Sequence, residues 1–473
     1  MANESSGRSK QFTTQQSVDA AILRMRPIAP KCGIGACCVL LTLLAASAQA
    51  APPAAAKAHP LLRDFIGLNV HTVQFKPELY APVCRVVRDY HPLEWDVGKD
   101  TSRATTFPMA ANRVDWGSMY GSWAKAGFTI DACIMFDGIA ADHWKDPARD
   151  AHAYGEAFAR AFGPSADKPL VASAEIGNEP SKYSVAQYRT LFENMAKGFR
   201  AGDPKLKIAT CAVMTGKPDQ WSKPMEAVAG LEDLYDVVNL HSYAFKDKWP
   251  TWRRSYPEDP DIVWLKEVRS VIDWRNEHAP GKQVWLTEFG YDSATHPPAK
   301  DGPWKDWQGV TDEQQAQYIV RSFLVLSALD LDRANLYFFN DKDEAQLHGA
   351  SGITRNFKPK PSYYAMSQLY RELGDYRFTR ALAQTAGDLY CYEYENPAKP
   401  GQRAYVAWSP TAGGPNRTHR LPLPTEVIPN LARAQRMATA SGDPTSATWK
   451  VVGPAIEMEI GPSPVYIFTH TPP

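Results

Sequence analysis

Two glutamates stand at the ends of apolar runs: Glu179 in Ile176-Gly177-Asn178-Glu179-Pro180, and Glu288 in Trp285-Leu286-Thr287-Glu288-Phe289-Gly290. An apolar run bounded by Gly or Pro reads as a buried strand. A carboxylate at its end is costly to desolvate unless it has partners or a task. The two lie far apart in the chain, so only the fold can bring them together. A barrel of parallel strands does this, because it gathers its strand ends at one mouth. Two carboxylates facing each other across a cleft are the equipment of glycoside hydrolysis. Their separation, ~5–5.5 Å for direct attack or ~6.5–9.5 Å with an interposed water, is not readable from the sequence. Glu175 competes weakly for a catalytic role. It shares a facing with Glu179 only if strand alternation runs unbroken between them.

The elements that must position these residues alternate along the chain. Apolar strands are expected at 65–70, 83–88, 128–135, 171–176, 207–213, 237–241, 284–287 and 336–340. Helical periodicity appears at 151–162, 185–199, 314–329 and 361–373, and Ala201-Gly202-Asp203-Pro204 is a stop signal. Strand–helix alternation over residues 61–372 predicts an α/β fold, a (β/α)8 TIM barrel. The other α/β solution, a doubly wound open sheet, wants a Gly-rich nucleotide loop after an early strand, and none is present. Beyond 375 the pattern changes to alternating strand runs at 389–394, 403–408 and 465–468, separated by Pro and Gly clusters. This predicts a small C-terminal β-sandwich over 375–473.

Composition narrows the function classes. In 473 residues, Lys+Arg and Asp+Glu both number 52, so no basic field exists to draw nucleic acid or a membrane surface. The 14 Trp and 21 Tyr supply either a large aromatic core or flat faces for stacking on sugars. Residues 33–48 form an apolar stretch too short to span a bilayer comfortably. Arg24, Arg26 and Lys31 precede it, and Ala48-Gln49-Ala50 follows as a cleavage pattern. Residues 1–50 are therefore expected to be a secretory signal peptide, with Met25 as a candidate start. The product would be secreted or periplasmic, cleaved near Ala50, with no stable membrane anchor. Of the seven cysteines, Cys84, Cys133, Cys211 and Cys391 would remain, with neither a CxxC pair nor a metal-like grouping. One disulfide is possible in an exported protein, but spacing does not pair it.

The Asn178-Glu179-Pro180 motif on a fourth strand and Glu288 on a seventh resemble clan A of the glycoside hydrolases. Arg88 near His91, together with the trailing β-domain, is most similar to family 39, including bacterial secreted hydrolases associated with exopolysaccharides. The resemblance covers about residues 61–372. It implies a retaining hydrolase of β-linked oligo- or polysaccharide that needs no cofactor or metal. Glu179 would be the acid/base and Glu288 the nucleophile. Asn178 would donate to the sugar 2-OH. His241 or Tyr243 would lie beside the nucleophile, with the Tyr243 hydroxyl orienting its carboxylate. Arg88 and His91 would hold a sugar hydroxyl or Glu288, although Arg88 could instead be paired with Asp89 or another acid. Many clan members carry a Trp platform at the end of strand eight. Here the run is Tyr337-Phe338-Phe339-Asn340-Asp341, so Phe339, Trp304 or Trp307 would take that place. The 137–147 loop, with His143 and Trp144, would rim the cleft. Three other readings stay open: a silent carbohydrate-binding protein on this fold, a transglycosylase sharing the same intermediate, and a metal-dependent barrel enzyme using Glu179, Glu288 and Asp137.

Overall fold

The structure, a computed structural model, describes residues 57–71, 76–214 and 223–470. The expected signal segment lies outside them. From Lys57 onward the chain forms one compact unit.

Eight strands, β1 (Ile66–Val70), β2 (Val86–Pro92), β3 (Thr129–Met135), β4 (Val171–Ile176), β5 (Lys207–Met214), β6 (Val237–His241), β7 (Gln283–Phe289) and β8 (Arg333–Leu336), pair in parallel in chain order. β1 pairs with both β2 and β8, which closes the barrel. The fold class expected from the sequence is therefore the one observed. The crossovers are less regular than expected. Long helices follow six strands: α1 (Trp116–Lys125), α2 (Pro147–Phe162), α3 (Val185–Gly202), α4 (Trp264–His278), α5 (Asp312–Ser327) and α6 (Pro361–Leu373). Among the described residues, one helical turn, Pro77–Tyr80, lies between β1 and β2, and two 3-10 turns lie between β5 and β6. The helix starts follow local chemistry. Ser184 and Thr311 each make a capping box, with Gln187 and Gln314 respectively, and Asp146 caps α2 ahead of Pro147. The second and eighth strands are displaced from their expected spans, to Val86–Pro92 and Arg333–Leu336.

The C-terminal part contains two antiparallel sheets. The larger is ordered β9 (Arg377–Thr385), β10 (Leu389–Glu395), β11 (Arg403–Trp408), β16 (Val465–Thr469), β13 (Leu431–Arg436). The smaller is β12 (Arg417–Leu421), β15 (Ala455–Ile460), β14 (Trp449–Val452). Strand alternation divides the larger sheet into two chemically different faces. Leu389, Cys391, Tyr405, Ala407, Val465 and Ile467 pack toward the smaller sheet with Ile456, Met458 and Ile460. Tyr390, Tyr392, Tyr394, Val406, Trp408, Tyr466 and Phe468 belong instead to the barrel's own core cluster. The boundary near residue 375 is thus a change of architecture without a break in packing. It also explains why α5 is buried along almost its whole length: it is sandwiched between barrel and sheet. Cys84, Cys133, Cys211 and Cys391 are all buried free thiols. Among the described residues, no helix is long and apolar enough to cross a membrane.

Candidate active site

β4 ends at Ile176, and Gly177 follows at φ 88°. That left-handed conformation suits glycine, and a Cβ there would stand 3.0 Å from the Phe136 ring. The turn breaks strand alternation. Glu175, still on the strand, points into the barrel and is fully buried, while past the turn the adjacent Asn178 and Glu179 both reach the mouth.

Arg88 on β2 occupies the centre of the mouth with no solvent exposure. Its Nε and Nη2 donate to Glu175 at 2.8 Å each, Nη1 to Asn69 at 2.9 Å and to Glu288 at 3.0 Å, and Nη2 to Asn178 at 2.9 Å. Such a forked, saturated guanidinium is a fixed anchor. Its partners are Glu175 and Glu288, whereas Asp89 faces the other way and accepts from Tyr120. Arg88 therefore holds the nucleophile candidate and is too enclosed to hold a sugar hydroxyl.

Glu288 on β7 receives Tyr90 Oη at 2.6 Å and Tyr243 Oη at 2.8 Å, and His241 Nδ1 stands 3.5 Å away. Burial alone would raise its pKa. The His241 and Arg88 charges and the two tyrosine hydrogen bonds outweigh burial and bring it down to about 2. Glu179 behaves oppositely. Burial pushes it up, the nearby Glu288 charge adds to that, and its hydrogen bond with His241 only partly opposes the rise. One site thus holds one ionised carboxylate and one disposed to keep its proton.

His241 links the two. Its Nδ1 lies 2.7 Å from Glu179 Oε1, and its Nε2 lies 3.1 Å from Thr287 Oγ1. The Thr287 hydroxyl donates to Asn239, whose amide donates to Glu175 at 3.0 Å. Thr287 must therefore accept from Nε2–H, which leaves Nδ1 to share a proton with Glu179. One donor atom each from Glu179, His241 and Glu288 falls within a 4.8 Å span. These three residues also make the group, among those described, that could hold a metal ion.

Four sequence expectations are corrected. His91 is buried on the outer side of β2, between Asp96 at 2.7 Å and the Tyr120 hydroxyl at 2.8 Å, and stacked on Trp116. Alternation explains this: Arg88 and Tyr90 face in, Asp89 and His91 face out. Phe339 is fully buried edge-on against Tyr80 and is no platform. Trp304 is not part of the cleft lining, and Trp307 lines a separate small groove with His296 and Pro297. Trp144 likewise is buried against Tyr183 and Phe136 and does not rim the cleft.

The cleft has a volume of about 510 Å³. Its walls are His71, Tyr90, Pro92, Trp95, Met135, Asn178, Tyr337 and His348, with Glu179 and Glu288 at the base. Trp95 and Tyr337 supply the aromatic surface expected from Phe339 and Trp304. Tyr90 was recoverable from the alternation that starts at Arg88. His348 carried no local signal, because it arrives on a long loop after β8. Arg254 stands 3.2 Å from its Nδ1, and desolvation plus that charge lower its pKa to about 4. A larger groove of about 920 Å³ beside α1 and α2 contains no such pairing of carboxylates.

The sequence matches no protein-family model and no curated protein sequence. Solved structures do match in fold. A family 39 glycoside hydrolase from Bacteroides cellulosilyticus aligns over 87% of this chain and 81% of its own, with TM-score 0.64 and 17% identity. A glucosidase from Croceicoccus marinus aligns over 88% and 98%, with TM-score 0.56 and 13% identity. A family 51 α-L-arabinofuranosidase from Bifidobacterium longum aligns over 87% and 97%, with TM-score 0.58 and 12% identity. The fold is thus the one shared by clan A glycoside hydrolases, and family 39, to which the sequence motifs pointed, is among the neighbours.

Proposed function

We propose that the protein is a retaining glycoside hydrolase acting by double displacement on a β-linked oligo- or polysaccharide, with Glu288 as nucleophile and Glu179 as acid/base. The observation that carries this reading is the carboxylate pair itself. One carboxylate oxygen of Glu179 and one of Glu288 lie within 4.8 Å of each other at the base of one cleft, the close facing of two carboxyls that direct attack by one of them calls for. Glu288, ionised and held by Arg88, Tyr90 and Tyr243, attacks the anomeric carbon. Glu179 gives its proton to the departing oxygen. Esterification removes the Glu288 charge, so the pKa of Glu179 falls and it can take a proton from the incoming water. Asn178 accepts from Arg88 through its Oδ1, which leaves its NH₂ to donate to the sugar 2-OH. His71, Trp95, Tyr337 and His348 shape the space around the ring. The signal-like N-terminus supports a secreted or periplasmic site of action. Water and a second sugar compete for the same intermediate, so transglycosylation belongs to the same reading.

The test is incubation of residues 51–473 with activated 2-fluoro glycosides of both anomeric series, followed by intact mass and peptide mapping. Both series are needed, since the fold neighbours include an α-L-arabinofuranosidase. A label on Glu288 supports the mechanism and names an accepted sugar. A label on another residue, or glycan binding without turnover of any substrate, would sink it.

A further inference from the structure

Tyr90 is not needed to complete the two-carboxylate scheme, yet it makes the shortest hydrogen bond to Glu288. Its hydroxyl donates to Oε1 at 2.6 Å, and Arg88 Nη1 donates to the same oxygen at 3.0 Å. The other oxygen, Oε2, takes Tyr243 at 2.8 Å and faces His241, the partner of Glu179, at 3.5 Å. The carboxylate is therefore asymmetric. Oε1 is held by two donors, while Oε2 lies toward the side where the acid/base works.

The geometry points to a division of labour between these oxygens, in which Oε2 forms the bond to the sugar and Tyr90, acting on Oε1, governs how readily that bond breaks. The inference rests on the retaining reading. In the first step the Oε2–C1 bond forms, the C1–O bond to the leaving group breaks, and Glu179 supplies the proton. In the second step water attacks C1 and Glu179 takes its proton. The C1–Oε2 bond breaks as water attacks, and its electron pair returns to the carboxylate. Charge reappearing on Oε1 meets two hydrogen bonds already in place, so no reorganisation is needed at that moment. The same bonds make Oε2 a weaker nucleophile. Tyr90 thus slows attack slightly and speeds departure.

Arg88 cannot be the adjustable donor, because its position is fixed by Glu175, Asn69 and Asn178. The single proton of Tyr90 goes to Glu288. Its phenol also stays protonated, because burial and the Glu288 charge push its pKa up.

The experiment compares Tyr90→Phe with the unaltered protein in pre-steady-state kinetics on an activated aryl glycoside, with intact mass during turnover. A hydrogen bond to a charged group is strong enough that its partial loss should slow the second step roughly tenfold. The first step should keep its rate or speed up slightly, the second should slow, and the glycosyl-enzyme should accumulate. The acid limb of the pH profile should move up, because Glu288 loses a donor. Fluorotyrosine at position 90, a stronger acid of similar shape, should shift the partition the other way. Equal slowing of both steps, or an unchanged partition in both variants, would overturn the role of Tyr90. If the unaltered protein forms no covalent species while turning over substrate, the retaining reading itself has failed.

Discussion

Two buried arginine–glutamate systems sit at opposite kinds of place in this molecule. At the barrel mouth, Arg88 holds Glu175 and Glu288. Where the barrel meets the β-domain, Arg321 on α5 holds both oxygens of Glu258 through Nε and Nη2. The side chains of Arg88, Glu175, Arg321 and Glu258 are all inaccessible to solvent. At the junction every partner is protein: Trp408 Nε1 donates to Glu258 at 2.6 Å, and Arg321 Nη1 donates to the Thr411 carbonyl at 2.8 Å. At the mouth the arginine is equally saturated, but one of its carboxylates, Glu288, opens onto the cleft beside a second acid. A closed buried pair sets geometry and costs desolvation. An open one keeps a charge poised against a substrate.

The predictions either break this contrast or sharpen it. Glu288→Ala should lower turnover on the order of 10⁵-fold, the scale for losing a nucleophile, and should lower thermal stability less than the junction variant below, because Arg88 keeps Glu175 as its partner; kcat and calorimetry on one preparation check both halves. Glu179→Ala should cost about 10²–10⁴-fold on substrates with poor leaving groups and far less on activated ones, because acid help matters only when the leaving group needs it. Equal losses on both would argue against the acid/base role.

Arg321→Met should do the reverse of the Glu288 change. It strands Glu258 as an unpaired buried charge, so denaturant unfolding should show a loss of ~3–5 kcal/mol, with kcat per folded molecule retained. The double variant Arg321→Met with Glu258→Leu should recover much of that loss. A kcat change in the folded double variant would mean that the junction acts on the mouth.

The pH profile sharpens the contrast within the mouth. Glu288 must be ionised, and its pKa is lowered to about 2, so activity should fall only as the pH drops through that region. Glu179 must be protonated, and its pKa is raised, so activity should fall as the pH rises through a value above the ordinary carboxylate range. Glu288→Gln removes the charge that helps to raise Glu179. Its pKa in that variant, followed by carboxyl NMR, should move down. The smallest effect should come from Trp408→Phe, which deletes one hydrogen bond to the charged Glu258 and should cost ~1.5–3 kcal/mol with no change in the pH profile.

Much of the barrel was legible because buried parallel strands are short apolar runs, and β4 and β6 fall where those runs fall. α1 was missed because its Gly117, Ser118, Gly121 and Ser122 are weak helix formers; its helix is held by Trp116, Tyr120 and Trp123 packing inward. The displaced eighth strand has a similar cause. The apolar residues after Leu336 look like strand, but Tyr337 turns to the cleft and Phe339 packs against Tyr80.

The sequence by itself determined the α/β alternation, the two glutamates at strand ends, and the alternating strands of the C-terminal sheets, because each follows from the local periodicity of side chains. Only the tertiary structure decided which other groups meet those glutamates. Glu175 looked like a rival acid, and its inward place on β4 in the closed barrel made it the anchor of Arg88. His91 looked like a cleft residue, and its parity on β2 placed it outside the barrel. Tyr90 and His348 became part of the site. Which charges share a low-dielectric space is a property of closure, and the closure of eight strands brings together residues whose separation along the chain carries no record of that meeting.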